Sequence, residues 1–134
     1  MRTFWFSFVL FLGLVPNVVL AQANKVQSII SSQLQAFMAD DFQAAFQFAA
    51  PNIQGMLKSP DNFESMVKNG YPMVYRHRSV LFGEYREQRD KSAQIVTLEA
   101  LDWSVYDLRY DLIATTNGWR IMGVQLLSKS ATGV

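Results

Sequence analysis

YDLRYDLIATTNGWRIMGVQLL, residues 106–127, is the stretch that decides the fold. Tyr106, Leu108, Tyr110 and Leu112 alternate with Asp107, Arg109 and Asp111. A period of two is that of a strand with one buried face. Asn117-Gly118 is a strong hairpin signal, and Trp119 to about Leu127 is the returning strand. A two-residue turn there predicts that Thr116 opposes Trp119, Ala114 opposes Ile121, Leu112 opposes Gly123, Tyr110 opposes Gln125 and Leu108 opposes Leu127. The resulting face is apolar, with a hole at Gly123 and polar groups at Tyr110 and Gln125. An amide on such a wall fits a ligand cavity better than a packed core. The opposite face leaves Ile113, Met122, Val124 and Leu126 as an apolar patch, the expected surface for a homodimer.

Upstream, strands are expected over Met73–Arg78, Val80–Gln88 and Ala93–Leu101, with a turn at Arg89, Asp90 and Lys91. Before them the period is that of helices. Val26, Ile29, Ile30, Leu34, Phe37 and Met38 form one stripe after a cap at Asn24. Asp41 caps a second helix, FQAAFQFAA, which Pro51 ends. Asp40 and Asp41 therefore read as a helix–helix corner rather than a paired-carboxylate site. Residues 52–58 read as a linker, with at most one loose turn, whose contacts are Ile53, Met56 and Leu57. Ser59 caps a third helix with Pro60 at its first position, and Gly70 is its left-handed cap. The whole is an α+β chain: N-terminal helices packed on a curved antiparallel sheet.

The N-terminus has the organisation of a secretory signal peptide. Arg2 precedes an apolar run from Phe4 to Leu14, and Ala21 and Ala23 form a small-residue exit. The expected organisation is a signal peptide over 1–23, one α+β domain over 24–127 and a flexible tail over 128–134. Cleavage near Ala21 or Ala23 delivers a periplasmic or extracellular protein, with no stable membrane insertion afterwards. The chain has no cysteine, which excludes disulfides and thiolate chemistry. Twelve basic and eleven acidic residues balance once Arg2 is removed, so nothing favours nucleic acid as a partner.

Three segments, QLQAFMADDFQAAFQFAAPNIQ, FESMVKNGYPMVYR and GWRIMGVQLL, resemble the nuclear-transport-factor-2-like (SnoaL-like, cystatin-like) cone fold. More closely, they resemble an uncharacterised bacterial family of that type, a domain of unknown function. The resemblance covers Val26 to Leu127. It implies helices closing over a concave sheet around a conical pocket, and a superfamily that holds both enzymes and non-catalytic binding domains. Its enzymes place a His or Asp base in the cone.

The only histidine, His77, lies between Arg76 and Arg78 and is the catalytic candidate, with Tyr110 as an alternative. The sequence supplies no orienting carboxylate for His77. No phosphate-binding loop, nucleophile elbow or zinc motif occurs, so no metal and no cofactor is expected. The expected ligand-binding residues are Tyr71, Tyr75, Leu108, Tyr110, Leu112, Trp119, Gly123 and Gln125. The function expected is binding of a small apolar or amphipathic ligand without catalysis. An isomerase or dehydratase, and a dimeric interaction protein with a solid core, are the alternatives.

Overall fold

The computed structural model describes residues 17–131. Residues 1–16 of the expected signal peptide, and the last three of the tail, lie outside the described residues. Helix α1 (Asn17–Met38) starts ahead of the expected cap at Asn24. Ala23 is buried, and Gln22 accepts a hydrogen bond at 2.8 Å from the Trp119 indole, so these turns are tied to the sheet. The buried stripe of α1 is Val26, Ile30, Leu34 and Phe37, at helical steps of three and four.

The two aspartates after α1 have separate jobs. The Asp41 N–H reaches the Ala36 carbonyl at 2.8 Å and the Asp40 N–H reaches Phe37 at 3.0 Å, which closes α1 as a Schellman motif. Asp40 occupies its left-handed position, at φ 55°. Asp41 caps α2 (Phe42–Gln47), its Oδ1 accepting from the Ala44 N–H at 3.0 Å.

Helix α2 is shorter than expected because residues 48–50 leave it to line the sheet. The Ile121 N–H donates to the Phe48 carbonyl at 2.8 Å, and the Ala50 N–H donates to the Ile121 carbonyl at 2.7 Å. Pro51 then opens a helix, α3 (Pro51–Leu57), where a linker was expected. A proline at the first helical position loses no hydrogen bond, so it starts a helix as readily as it ends one. Helix α4 (Pro60–Gly70) begins as expected, with the Ser59 hydroxyl accepting from the Asn62 N–H. Gly70 is not its left-handed cap; the helix ends at Tyr71, which leaves the helical region at φ −136° and ψ 55° ahead of Pro72.

The expected strand over Met73–Arg78 is absent. Pro72 opens a single helical turn, α5 (Pro72–Tyr75), and buries the adjacent pair Met73 and Val74. Two consecutive buried residues do not fit a strand, which turns neighbours to opposite faces.

Four antiparallel strands follow in meander order: β1 (Ser79–Gln88), β2 (Lys91–Glu99), β3 (Val105–Thr115) and β4 (Gly118–Ser130). Strand β4 continues three residues past the expected end at Leu127. Register shifts at Phe82/Tyr85, Asp107/Leu108 and Asp111/Leu112 curve the sheet. The helices lie on its concave side, where Val96, Leu98, Leu108, Tyr110 and Leu112 are fully buried. The α+β architecture is the expected one, and its curved sheet under helices is consistent with the cone fold that the sequence resembles.

The β3–β4 register differs from the expected one. Thr115 opposes Gly118, and Ala114, not Thr116, opposes Trp119. Gly118 has φ 100°, whereas Asn117 is not among the residues of positive φ. The two-residue loop is therefore Thr116-Asn117, one residue earlier than expected, with neither residue left-handed, and the pairing beside it moves by two residues, which keeps the faces. A bulge then leaves Met122 without a partner, so that Leu112 opposes Ile121, Asp111 opposes Gly123 and Tyr110 opposes Val124.

Candidate functional site

A cavity of about 250 Å³ lies between the helices and the first half of β4. Helix α3 roofs it with Ile53, Met56 and Leu57, at positions one, four and five of a single helical face. Helix α4 supplies Phe63, Met66 and Val67, and β4 supplies Ile121, Gly123 and Val124. Phe37 and Gln33 of α1 close the far wall, and Tyr71 and Val74 stand where α4 passes into α5. Gly123 is open by its geometry, since a Cβ there would meet nothing within 4 Å. The roof is loosely held: no residue of α3 is buried, and Met56 is 68 % exposed. It is fixed by Gln54, whose side chain donates to the Phe46 and Ala49 carbonyls, and it ends at Lys58, a non-glycine residue with φ 71°.

Two polar side chains reach this apolar lining. Gln33 is 3 % exposed and its Nε2 donates to the Ala45 carbonyl at 3.1 Å. The Tyr71 hydroxyl donates to the Val124 carbonyl at 3.1 Å, on the free edge of β4. Lysine, arginine, histidine and carboxylates are absent from the lining.

Of the expected ligand-binding residues, Tyr71 and Gly123 line the cavity. Leu108, Tyr110 and Leu112 lie in the core instead, each fully buried. Trp119 is seated against α1 through its bond to Gln22. Gln125 is exposed and opposes Arg109, on the other face from Leu108 and Tyr110. That displacement follows from the bulge at Met122, which carries Gln125 off the face a regular hairpin would give it. Tyr75 lies away from the cavity: it stacks on Phe42 at 5.8 Å, its hydroxyl donates to Asp40, and the Arg76 guanidinium sits 4.0 Å above its ring. Arg76 also pairs with Asp40 and donates to the Phe37 carbonyl, so this cluster locks the α1 terminus.

The expected outer patch divides in the same way. Val124 lines the cavity, Leu126 opposes Leu108, and only Ile113 and Met122 stay with the outer face. Arg109 pairs with Asp111 along its own strand, and Asp107 accepts from Thr97 and Ser128 across strands.

His77 follows α5 and is absent from the cavity lining. Its Nδ1 has no hydrogen-bond partner among the described residues. Burial lowers its pKa, against the Val74 carbonyl, which raises it, and with Arg76, which lowers it further. The folded chain therefore disfavours the imidazolium. As pH falls below about 6.5 the unfolded chain takes up this proton first, so stability drops until the depressed folded pKa is passed and then levels. Urea denaturation across pH 5 to 8 checks this, and His77→Gln flattens that part of the profile.

Tyr110 is a second buried group without a partner. Its hydroxyl is sealed in the core, and burial first, then neighbouring Tyr71, raises its pKa far above the usual phenol value. Such a phenol stays protonated near neutral pH. Tyr110→Phe removes an unsatisfied hydroxyl and is expected to gain about 0.5–1 kcal/mol in thermal or urea unfolding.

Gln33 was missed in the sequence, and Ile53, Met56 and Leu57 were read as contacts of a linker rather than as one face of a helix over the cavity. Gln33 stands three residues after Ile30 and four before Phe37, inside the buried stripe, so its helical position was the available signal. Ile53, Met56 and Leu57 carry helical spacing too, once Pro51 is read as a first residue.

Among the described residues, no group of three or more His, Asp or Glu side chains converges as a metal site. No described helix is long and apolar enough to cross a membrane. Residues 19–134 match the model of a family described as a domain of unknown function (DUF4864). Neither a curated protein nor a solved structure matches the chain.

Proposed function

We propose, for a chain that belongs to the DUF4864 family, that it is an exported, non-catalytic module which binds a small apolar or amphipathic ligand beneath α3. The observation that carries this reading is the 250 Å³ cavity, walled by Phe, Met, Ile, Leu and Val and roofed by a helix with no buried residue. Ligand sites are concave, mostly apolar and marked by a few polar groups. Gln33 and Tyr71 are those groups here. The cavity speaks against a solid core, and neither the His77 Nδ1 nor the Tyr110 hydroxyl has a hydrogen-bond partner among the described residues that would set up catalysis.

Export follows from the N-terminal pattern, with cleavage at Ala21 or Ala23. Cleavage after Ala21 keeps the Gln22–Trp119 bond, and cleavage after Ala23 removes it.

Native mass spectrometry of the protein, purified from the compartment into which its host exports it, tests this reading. The expected spectrum shows a small adduct that is lost on denaturation and is missing from Ile53→Trp, whose indole fills the space under α3. A bare protein that also fails to take up added apolar molecules contradicts it.

A further inference from the structure

We infer that the cavity selects a neutral aliphatic molecule with a hydroxyl donor, an alcohol of medium chain length, over the corresponding carboxylate. The inference rests on the binding reading above and concerns the ligand's head group. Charge is the first argument. The lining holds no lysine, arginine or histidine. Of the cations next in sequence to lining residues, Lys68 pairs with Glu64, Arg120 donates to the Trp119 carbonyl, and Lys58 stands after the end of α3, outside the lining. A carboxylate entering here loses its water and finds no counter-charge, which costs far more than burying a neutral group.

The polarity of the hydrogen bonds is the second argument. Both polar side chains in the lining have already spent a donor on the protein. Gln33 Nε2 donates to the Ala45 carbonyl, and the Tyr71 hydroxyl donates to the Val124 carbonyl. The Ala45 carbonyl can only accept, so the amide must face it with nitrogen. What remains is the second Nε2 hydrogen of Gln33 and two acceptors: Gln33 Oε1, which takes no hydrogen bond among the described residues, and the phenol oxygen of Tyr71. A carboxylate only accepts, so it leaves both acceptors unanswered. A hydroxyl can accept from the amide and also donate to one of these oxygens.

Size is the third argument. At ~30 Å³ for each water-sized group, 250 Å³ takes about eight groups. That is the scale of 1-octanol. Met56 and Met66 on the walls adapt to a flexible chain.

The test is calorimetric titration of the purified protein at pH 7 with three probes: 1-octanol, octanoate and methyl octyl ether, which lacks the donor. The expected result is that 1-octanol binds about tenfold or more tighter than either of the others, a difference of one charge-free hydrogen bond. Gln33→Leu is expected to remove the preference for alcohol over ether while both still bind. Octanoate binding as tightly as 1-octanol overturns the inference and leaves the cavity a ligand site. An alcohol preference that survives in Gln33→Leu also overturns it. Failure of all three probes on the unaltered protein removes the binding reading itself, and the inference with it.

Discussion

Phe37→Ala is expected to cost about 3–5 kcal/mol, the range for truncating a fully buried phenylalanine. Phe37 is 1 % exposed and stands where three helices meet. Its ring packs at 5.6 Å on Phe42 and 5.7 Å on Phe63, both tilted. Its carbonyl accepts from Asp40 in the turn that ends α1, and from Arg76. The backbone bonds survive truncation; the ring contacts do not. Small domains are stable by only about 5–15 kcal/mol in all, so the loss is a large fraction. The check is urea denaturation, with a lowered midpoint at unchanged slope. A midpoint within experimental error of the parent's removes the helical junction from its central place in the core.

Gln94→Leu is expected to have the next largest effect, about 2–4 kcal/mol, because it leaves carbonyls without their donor. Gln94 is fully buried in β2. Its Nε2 lies 3.1 Å from the Gly83 carbonyl, 3.3 Å from Glu84 and 2.9 Å from Ile95, and its Oε1 accepts from Gln27 of α1. These carbonyls sit at the bulge between Phe82 and Tyr85, where the strand ladder is interrupted. One amide thus replaces the hydrogen bonds that the bulge takes from β1, and ties the edge strand to α1. Leucine keeps the volume and supplies none of this. Faster amide hydrogen exchange along β1, at Phe82 and Tyr85 above all, is the local sign. Exchange that stays at the parent rate there removes Gln94 from this role.

The architecture was legible wherever periodicity ran long enough. The α1 stripe and the alternation from Tyr106 to Leu112 each extend over several repeats, and each appears in the structure, except that Met38, at the end of the expected stripe, is exposed and Ile29 is half-buried. Short segments were not legible, because one turn of helix and three residues of strand share the same pattern. Met73 to Arg78 is such a case, and only the Pro72 position separates the two forms. Proline misled at Pro51 for the related reason that it both follows and begins helices. The candidate site suffered most from the hairpin. Asn117-Gly118 placed the turn to within one residue, the loop being Thr116-Asn117. The bulge at Met122 decided that Val124 faces the cavity and Gln125 does not. Bulges leave almost no trace in hydrophobic pattern, since they change the pairing without changing composition. Gly123 and Tyr71 survived these shifts, because Gly123 marks the wall by its missing side chain and Tyr71 comes from a helix end.

The claim on which everything else depends is that the space beneath α3 is a ligand site. Methionine methyl groups report on it directly. Met56 and Met66 line the cavity, whereas Met38, Met73 and Met122 do not. The deciding measurement is a titration of methyl-labelled protein with 1-octanol, followed by nuclear magnetic resonance. Saturable shifts at Met56 and Met66, with Met38 and Met122 unmoved, are the predicted result. Shifts that never saturate, or that centre on Met73 or Met122, place the binding elsewhere and contradict the account.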